Sequence, residues 1–517
     1  MPKLSSDALF SLIKSLEKGE KRSFKTYVSR NSGSGDLKII QLFDALDKMK
    51  VYDEEELLKK NESIQKQQLS NLKAHLYDQI LSSLRIVKQN ENIDLQIHEQ
   101  LDHAKILYNK GLYWQALRLL DKIKTITKQN NQVTYLLQVL FLEKKIESLH
   151  ITRSMKDRAE QLSKEIDEVN ERLDLIAKIS NLSLQLYSWY IQHGHARNEE
   201  DRIQLEALMQ DPIIERVKHS KGFYERLYRY QCYCWYGFIL QDFLIYYRYG
   251  QKWVDLFEAD SNMQQIESAQ YIKGLHNLIN AHFDLRNTDK LCSSINKLEA
   301  FIETPIVQNN NNNLIQSFVY LYIAKINQHF LQGTFSEGLK MIPTMEAQLK
   351  ELEPFLDSHR VLTFYYKIAC LYFGAGEAST AIDYLNRIIN WKLNLRDDLQ
   401  CYARLLHLIA HFELGNMDTV AYLSKSVYRF MAKMNNLSTV EEVLFLFIKE
   451  RIQSGAIHQP QQITKAFENL IEKLKPLESN KLESRAFMYL DIISWLESKL
   501  ENKDVQSIIK EKFLLKK

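Results

Sequence analysis

The sequence predicts an all-α protein whose helices stack in antiparallel pairs as a solenoid, and three observations carry that expectation. Helix breakers are scarce, with 15 glycines and 7 prolines in 517 residues, roughly half or less of ordinary usage. An all-β or α/β chain of this size would need more of them at its turns. Leu, Lys, Glu, Gln and Ile dominate, and apolar residues recur at helical spacing. One set of offsets also returns four times without a gap. A chain of this length exceeds one compact globule, so several domains or an elongated array are expected.

Residues 1–92 read as an N-terminal helical module. Leu9, Phe10, Leu12, Ile13 and Leu16 share a helical face, and Gly19 is expected to end that helix. A second helix carries Phe24, Tyr27 and Val28. The run from Asn31 to Asp36 reads as a flexible turn, with Asp36 capping a helix that buries Ile39, Ile40, Leu42, Phe43 and Leu46. Asp53–Lys60 and Gln65–Val87 follow as one short and one long helix, and the polar stretch Val87–Ile93 marks a boundary.

From residue 93 to 455 the pattern becomes helix pairs. Ala369, Tyr372, Gly376, Ala381, Leu385 and Ile388 define the offsets three, four, five, four and three. The same offsets give Ala104, Leu107, Gly111, Ala116, Leu120 and Ile123. They return at Ile326, His329, Gly333, Gly338, Ile342 and Met345, and at Leu408, His411, Gly415, Val420, Ser424 and Val427. Small residues such as Ala369 and Ala381 suit the places where two helices cross closely. The glycine suits a helix end that must turn with positive φ. A single hairpin cannot bury its own apolar face, so hairpins must stack.

The segment from Tyr365 to Ile389 resembles the tetratricopeptide repeat family, as does that from Ala104 to Ile123. The family's pattern of aromatic, small, tyrosine, alanine and large apolar positions is visible in both. The period differs. Gly333, Gly376 and Gly415 are 43 and then 39 residues apart, against about 34 for the family, and the closing proline is missing. The resemblance implies degenerate, lengthened repeats and an irregular superhelix.

Between Gly111 and Gly333 there is room for five or six further pairs, among them Gln132–Leu149 with Lys156–Leu173 and Leu175–His193 with Asp201–Met209. The five asparagines of Asn309–Asn313 read as a loop, and Pro343 should interrupt its helix. Residues 456–517 read as a closing helical cap: Ile463–Lys475, a break at Pro476, Leu482–Leu500 and a basic tail.

Charge and composition exclude several roles. Lys and Arg number 68 and Asp and Glu 65, a net charge of +3, so no whole-chain field demands nucleic acid. No apolar run approaches the 18 or so residues of a membrane span, and the N-terminus lacks the uninterrupted apolar core of a signal peptide. Cys232, Cys234, Cys292, Cys370 and Cys401 form no CxxC pair, as expected of free thiols in a reducing cytoplasm.

Four features could carry function. The aromatic band Phe223–Phe257, interleaved with Arg226, Arg229, Arg248 and Lys252, reads as core packing, as a protein-binding groove, or as a stacking platform for single-stranded nucleic acid. The basic cluster Lys14, Lys18, Lys21, Arg22, Lys25 and Arg30 reads as a solvated helix face or a contact for an acidic partner, a membrane surface or RNA. His193 and His195 flank a glycine, but without nearby cysteine they read as a loop and not a metal site. Asp53–Glu56 reads as an acidic helix N-terminus. Phosphate-loop, nucleophile-elbow, zincin and dinucleotide signatures are absent from the sequence.

These readings lead to a non-catalytic cytoplasmic scaffold or adaptor, with no cofactor, holding a partner peptide or helix in a groove. Tyr230, Asn327, Tyr365 and Arg404 are its expected groove residues, and Lys18, Lys21, Arg22 and Lys25 a second contact surface. Two alternatives stay open. One is a signalling regulator, resembling bacterial regulators that join an N-terminal helical module to a tetratricopeptide-like peptide receptor. The other is a ribosome- or RNA-associated factor using the basic N-terminal helices.

Overall fold

The computed structural model describes residues 8–31, 36–61, 63–89, 92–150, 157–391, 397–434, 437–454, 460–480, 483, 487 and 491–515. Among them the chain is helical throughout and holds no strand. It divides into two compact units, Met1–Asp167 and Glu168–Lys517.

The first unit opens with α1 (Ala8–Ser15), α2 (Lys18–Asn31), α3 (Asp36–Lys48), α4 (Glu54–Lys60) and α5 (Lys66–Lys88). Ile13, Phe24, Leu42, Phe43, Leu46, Leu76 and Ile80 share one core. Gly19 does not end the first helix but lies in the first turn of α2. Glu20 explains the earlier break, because its carboxylate accepts from the Glu17 backbone N–H at 2.9 Å and closes the new helix start. Asp36 begins α3, while residues 32–35 of the expected turn lie outside the described residues. Asp53 caps α4 by accepting from the N–H groups of Glu55 and Glu56.

A second core in this unit joins α6 (Ile93–Asn109), α7 (Tyr113–Gln129) and α8 (Val133–His150) through Leu101, Ala104, Leu120, Ile123, Val139 and Ile146. The long helix α9 (Arg158–His193) contributes its first turns here and the remainder to the second unit. Its continuity corrects the expected separate helices Lys156–Leu173 and Leu175–His193. Asp174 is the only polar punctuation between them, and it pairs with Lys178 four residues on, a spacing that supports a continuous helix.

The second unit continues with α10 (Glu199–Met209), α11 (Pro212–Arg216), α12 (Phe223–Ile239), α13 (Phe243–Glu258), α14 (Ser261–Ile266), α15 (Ser268–Asp284) and α16 (Thr288–Ile302). Then come α17 (Pro305–Gln308), α18 (Asn311–Gln332), α19 (Phe335–Gly338), α20 (Ile342–Leu352), α21 (Ser358–Gly374) and α22 (Ala378–Ile389). The chain closes with α23 (Asp397–Glu413), α24 (Met417–Lys433), α25 (Thr439–Ser454), α26 (Pro460–Leu474), α27 (Ile492–Glu501) and α28 (Val505–Leu515).

The asparagine run is not wholly a loop. Asn310 caps α18 by accepting from the Asn313 N–H, so Asn311–Asn313 are its first turn. The interruption expected at Pro343 is present, as a 3₁₀ turn over Leu339–Met341 separating α19 from α20. The expected basic tail is instead helical over Val505–Leu515, after a left-handed turn at Asn502.

One turn recurs in both units. Gly111, Asn131, Gln241, Arg286, Gly333, Gly376, Gly415 and Asn502 all have positive φ. At each, the next residue's N–H returns to the carbonyl five positions back, as from Leu112 to Leu107 and from Glu377 to Tyr372. In the second unit α15, α18, α21 and α23 each pack on the next, and their partners α13, α16, α22 and α24 lie alongside them. At the chain's end, α27 packs on α26, and α28 returns to pack on α18. Gly333 marks that contact, since a Cβ there would lie 2.6 Å from the Gln506 carbonyl oxygen.

Candidate functional site

The helices of the second unit line an open-sided cavity of about 1440 Å³. Successive helices supply its wall: Tyr190 from α9, Trp235 from α12, Lys273 from α15, Asn327 from α18, Lys367 from α21 and Trp495 from α27. The α28 side chains Ile509 and Lys512 complete it.

The α15 sequence explains its most polar stretch. This helix is largely buried, yet Lys273, His276, Asn280 and Asp284 recur at three- and four-residue spacing, which places them on one stripe. The Lys367 ammonium donates to Asn327 Oδ1 at 2.6 Å. Asn327 Nδ2 donates to Asn280 Oδ1 at 3.4 Å. Asn280 Nδ2 meets His276 Nε2 at 3.0 Å. The ammonium, which has no acceptor capacity, sets the direction of this chain. With Nε2 accepting, a neutral His276 carries its hydrogen on Nδ1, and that atom has no hydrogen-bond partner. The ring stacks on Tyr320 with centroids 3.8 Å apart, and the Arg360 guanidinium lies 5.9 Å from the Tyr320 ring centre.

Electrostatics in this wall are unusual. Lys273 lies 5.0 Å above the Tyr187 ring and 5.4 Å from that of Trp235, with no carboxylate at ion-pair distance among the described residues. Burial, with Arg360 nearby, pushes its ammonium down to about 8. Burial does the same to Lys367, also to about 8, although Cys370 and Asp284 act the other way; the rings of Phe283 and Phe330 flank it. His276 is held neutral, down to about 3, by burial and the surrounding cations. Asp284 moves the other way, up to about 7, because burial outweighs the attraction of Lys367. Its Oδ2 has no hydrogen-bond partner.

The ions nearer the C-terminal helices are mostly satisfied by one another. Lys512 bonds Glu497 at 2.5 Å and Ser494 Oγ at 2.8 Å, and Lys475 lies 3.5 Å from Glu497. Asp491 accepts from the Ser494 N–H.

Of the residues singled out from sequence, Asn327 lies in this wall. Tyr230, Tyr365 and Arg404 do not border the cavity. Tyr230 is half-buried beside Arg229 and Tyr249. Tyr365 packs among Tyr384, Trp391 and Arg387. Arg404 lies over the Phe430 ring at 4.0 Å and donates to the backbone carbonyls of Ile389 and Gln400. The aromatic band divides: Phe223, Cys234, Trp253 and Phe257 are core, while Trp235, Phe238 and Phe243 border the cavity.

In the first unit, Lys21 pairs with Asp47 at 2.7 Å and Lys25 with Asp44 at 2.6 Å, so α3 offsets part of the basic cluster. Lys18 and Arg22 stay exposed. His195 is buried, with Nδ1 at 2.9 Å from the Phe238 carbonyl oxygen. Among the described residues no three His, Cys, Asp or Glu side chains converge as a metal would need, and no helix is long and apolar enough to cross a membrane.

Sequence reasoning missed Lys273, His276, Asn280, Asp284 and Lys367. A signal was present: a polar stripe on an otherwise apolar helix, and a lone lysine in the apolar run Val361–Phe373. No protein-family model matches the chain, and no curated protein matches it.

Proposed function

We propose that the protein is a non-catalytic binding protein of the tetratricopeptide-like class, which holds a polypeptide segment of a partner inside the cavity of its second unit. The observation that carries this reading is that one helix after another lends a side chain to a single cavity wall. Stacked hairpins bind ligands in that way, each pair offering one or two side chains to an extended guest. The recurring left-handed turn, spaced by 45, 47, 43 and 39 residues from Gln241 to Gly415, supports lengthened repeats of this type. The cavity exceeds the usual range of about 300–1,000 Å³ for small ligands, which favours several residues of polypeptide. All five cysteines are unpaired thiols, in keeping with a reducing cytoplasm.

The test is site-specific photocrosslinking in native extract. A benzophenone side chain replaces Phe330, inside the cavity, or Tyr422, exposed on α24. Adducts to one or a few polypeptides from position 330 alone support the proposal. Adducts from position 422 alone overturn it.

A further inference from the structure

We infer that the cavity selects an acidic polypeptide segment, one of whose carboxylates becomes the missing counter-ion of Lys273. This inference rests on the binding role proposed above and names the chemistry of the guest.

Three observations carry it. Lys273 is the clearest unmet charge in the wall. Its ammonium is held over the faces of Tyr187 and Trp235 without an anion. Cation–π contacts of that kind fall well short of replacing the hydration of an ammonium. Lys367 is served by a neutral amide, Asn327, and two phenyl rings. Arg360 adds a third cation; its one ion pair among the described residues, at 3.2 Å, is with the exposed Asp357 outside the wall.

The wall's acids offset this excess only in part: Asp289 and Glu478 border the cavity but are exposed to solvent. Asp491 and the ions beside it are committed to helix capping and mutual pairing. Asp284, beside Lys367, is pushed toward its protonated form by burial. The wall is therefore cationic, with aromatic surface adjoining the cation at Trp235 and Tyr187. A carboxylate entering beside Lys273 gains a charge-assisted bond, flanked by the two aromatic rings. An apolar neighbour on the guest would cover the aromatic rings. A cationic segment would add to an existing repulsion and is excluded.

The experiment is affinity selection of a soluble synthetic hexapeptide library on the full-length protein, read by mass spectrometry, with free and with amidated C-termini. The expected pool is enriched in Asp and Glu, or in free C-termini; the amidated arm tells side-chain from terminal carboxylate, and either supports the inference. Lys273→Met should weaken an enriched peptide at least about tenfold while unfolding at the same or a higher temperature, which separates lost binding from lost folding. A selected pool without acidic bias, retained equally by Lys273→Met, overturns this inference and leaves the peptide-binding role intact. No enrichment on either protein overturns both.

Discussion

Lys367 donates to Asn327 across the α18–α21 interface at 2.6 Å, and that bond orients every amide behind it as far as His276. Asn327 therefore satisfies a half-buried cation and passes its direction on. Asn327→Leu should destabilise the protein by about 1–3 kcal/mol, because a half-buried ammonium loses its one oxygen partner among the described residues. Adding Lys367→Met should recover part of that loss, since the unsatisfied charge leaves with it. Urea unfolding of the two single variants and the double variant checks this. Strictly additive losses would show that the bond carries no coupling.

Asp284 and Lys273 predict opposite pH dependences. The Asp284 carboxyl is raised from 3.8 to about 7. Between those values the folded protein binds more protons than the unfolded chain, so stability falls as pH rises through that window. Asp284→Asn should match the wild type near pH 4 and exceed it at pH 8. Lys273 is lowered from 10.5 to about 8. The unfolded chain then binds more protons between about 8 and 10.5, so its penalty is full below pH 8 and fades above it. Lys273→Met should stabilise at pH 7 and gain nothing near pH 10.5. Each effect is on the order of 1–3 kcal/mol, less than the full shift implies, because the cavity admits water. Thermal unfolding across pH 4–10.5 measures both.

Much of this architecture was legible in the residues. Helical periodicity and the shortage of Gly and Pro fixed the class, and the glycines at 111, 333, 376 and 415 each stand at a helix end with positive φ. The pairs between 111 and 333 were harder to place because Asn131, Gln241 and Arg286 take the same backbone position without glycine. Such a position costs a non-glycine residue about 1–2 kcal/mol, and tertiary packing overrides it. Asn327 was legible as a polar residue on an apolar helix. The rest of its network was visible only as a polar stripe on α15 and a lone lysine on α21, because Asn280 and Lys367 meet Asn327 across 47 and 40 residues of sequence. Tyr230, Tyr365 and Arg404 looked equally suitable, but helix rotation turns them away from the cavity, and rotation is set by packing.

The first unit carries its own test of buried charge. Glu143 on α8 is fully buried and meets Lys124 of α7 at 2.7 Å and the Arg158 guanidinium of α9. Lys124 also reaches Glu165 at 2.9 Å. Removing one partner of such a group costs about 3–5 kcal/mol. Lys124→Met should thus raise amide exchange across α7 and α8 while leaving α15–α21 protected. Unchanged protection in α7 and α8 would show that Arg158 alone suffices.

Gly333 and Gly376 separate backbone strain from steric fit. Both sit in the left-handed region, at φ +63 and +86, so alanine at either costs about 1 kcal/mol in conformation. A Cβ at Gly376 meets nothing within 4 Å, whereas at Gly333 it strikes the backbone of α28 at Gln506 and Lys510. The neighbouring Ser336 also holds Gln506, donating to its Oε1 from backbone N–H and hydroxyl at 3.2 and 3.0 Å. Gly376→Ala should therefore lower stability by about 1 kcal/mol and leave the C-terminal helices in place. Gly333→Ala should lower it further and push α28 off α18, baring Ile509 and opening the cavity wall on that side. Hydrogen exchange in α28 is the discriminating readout: a rise in Gly333→Ala alone supports the contact, and equal exchange in both variants would mean that α28 does not depend on it.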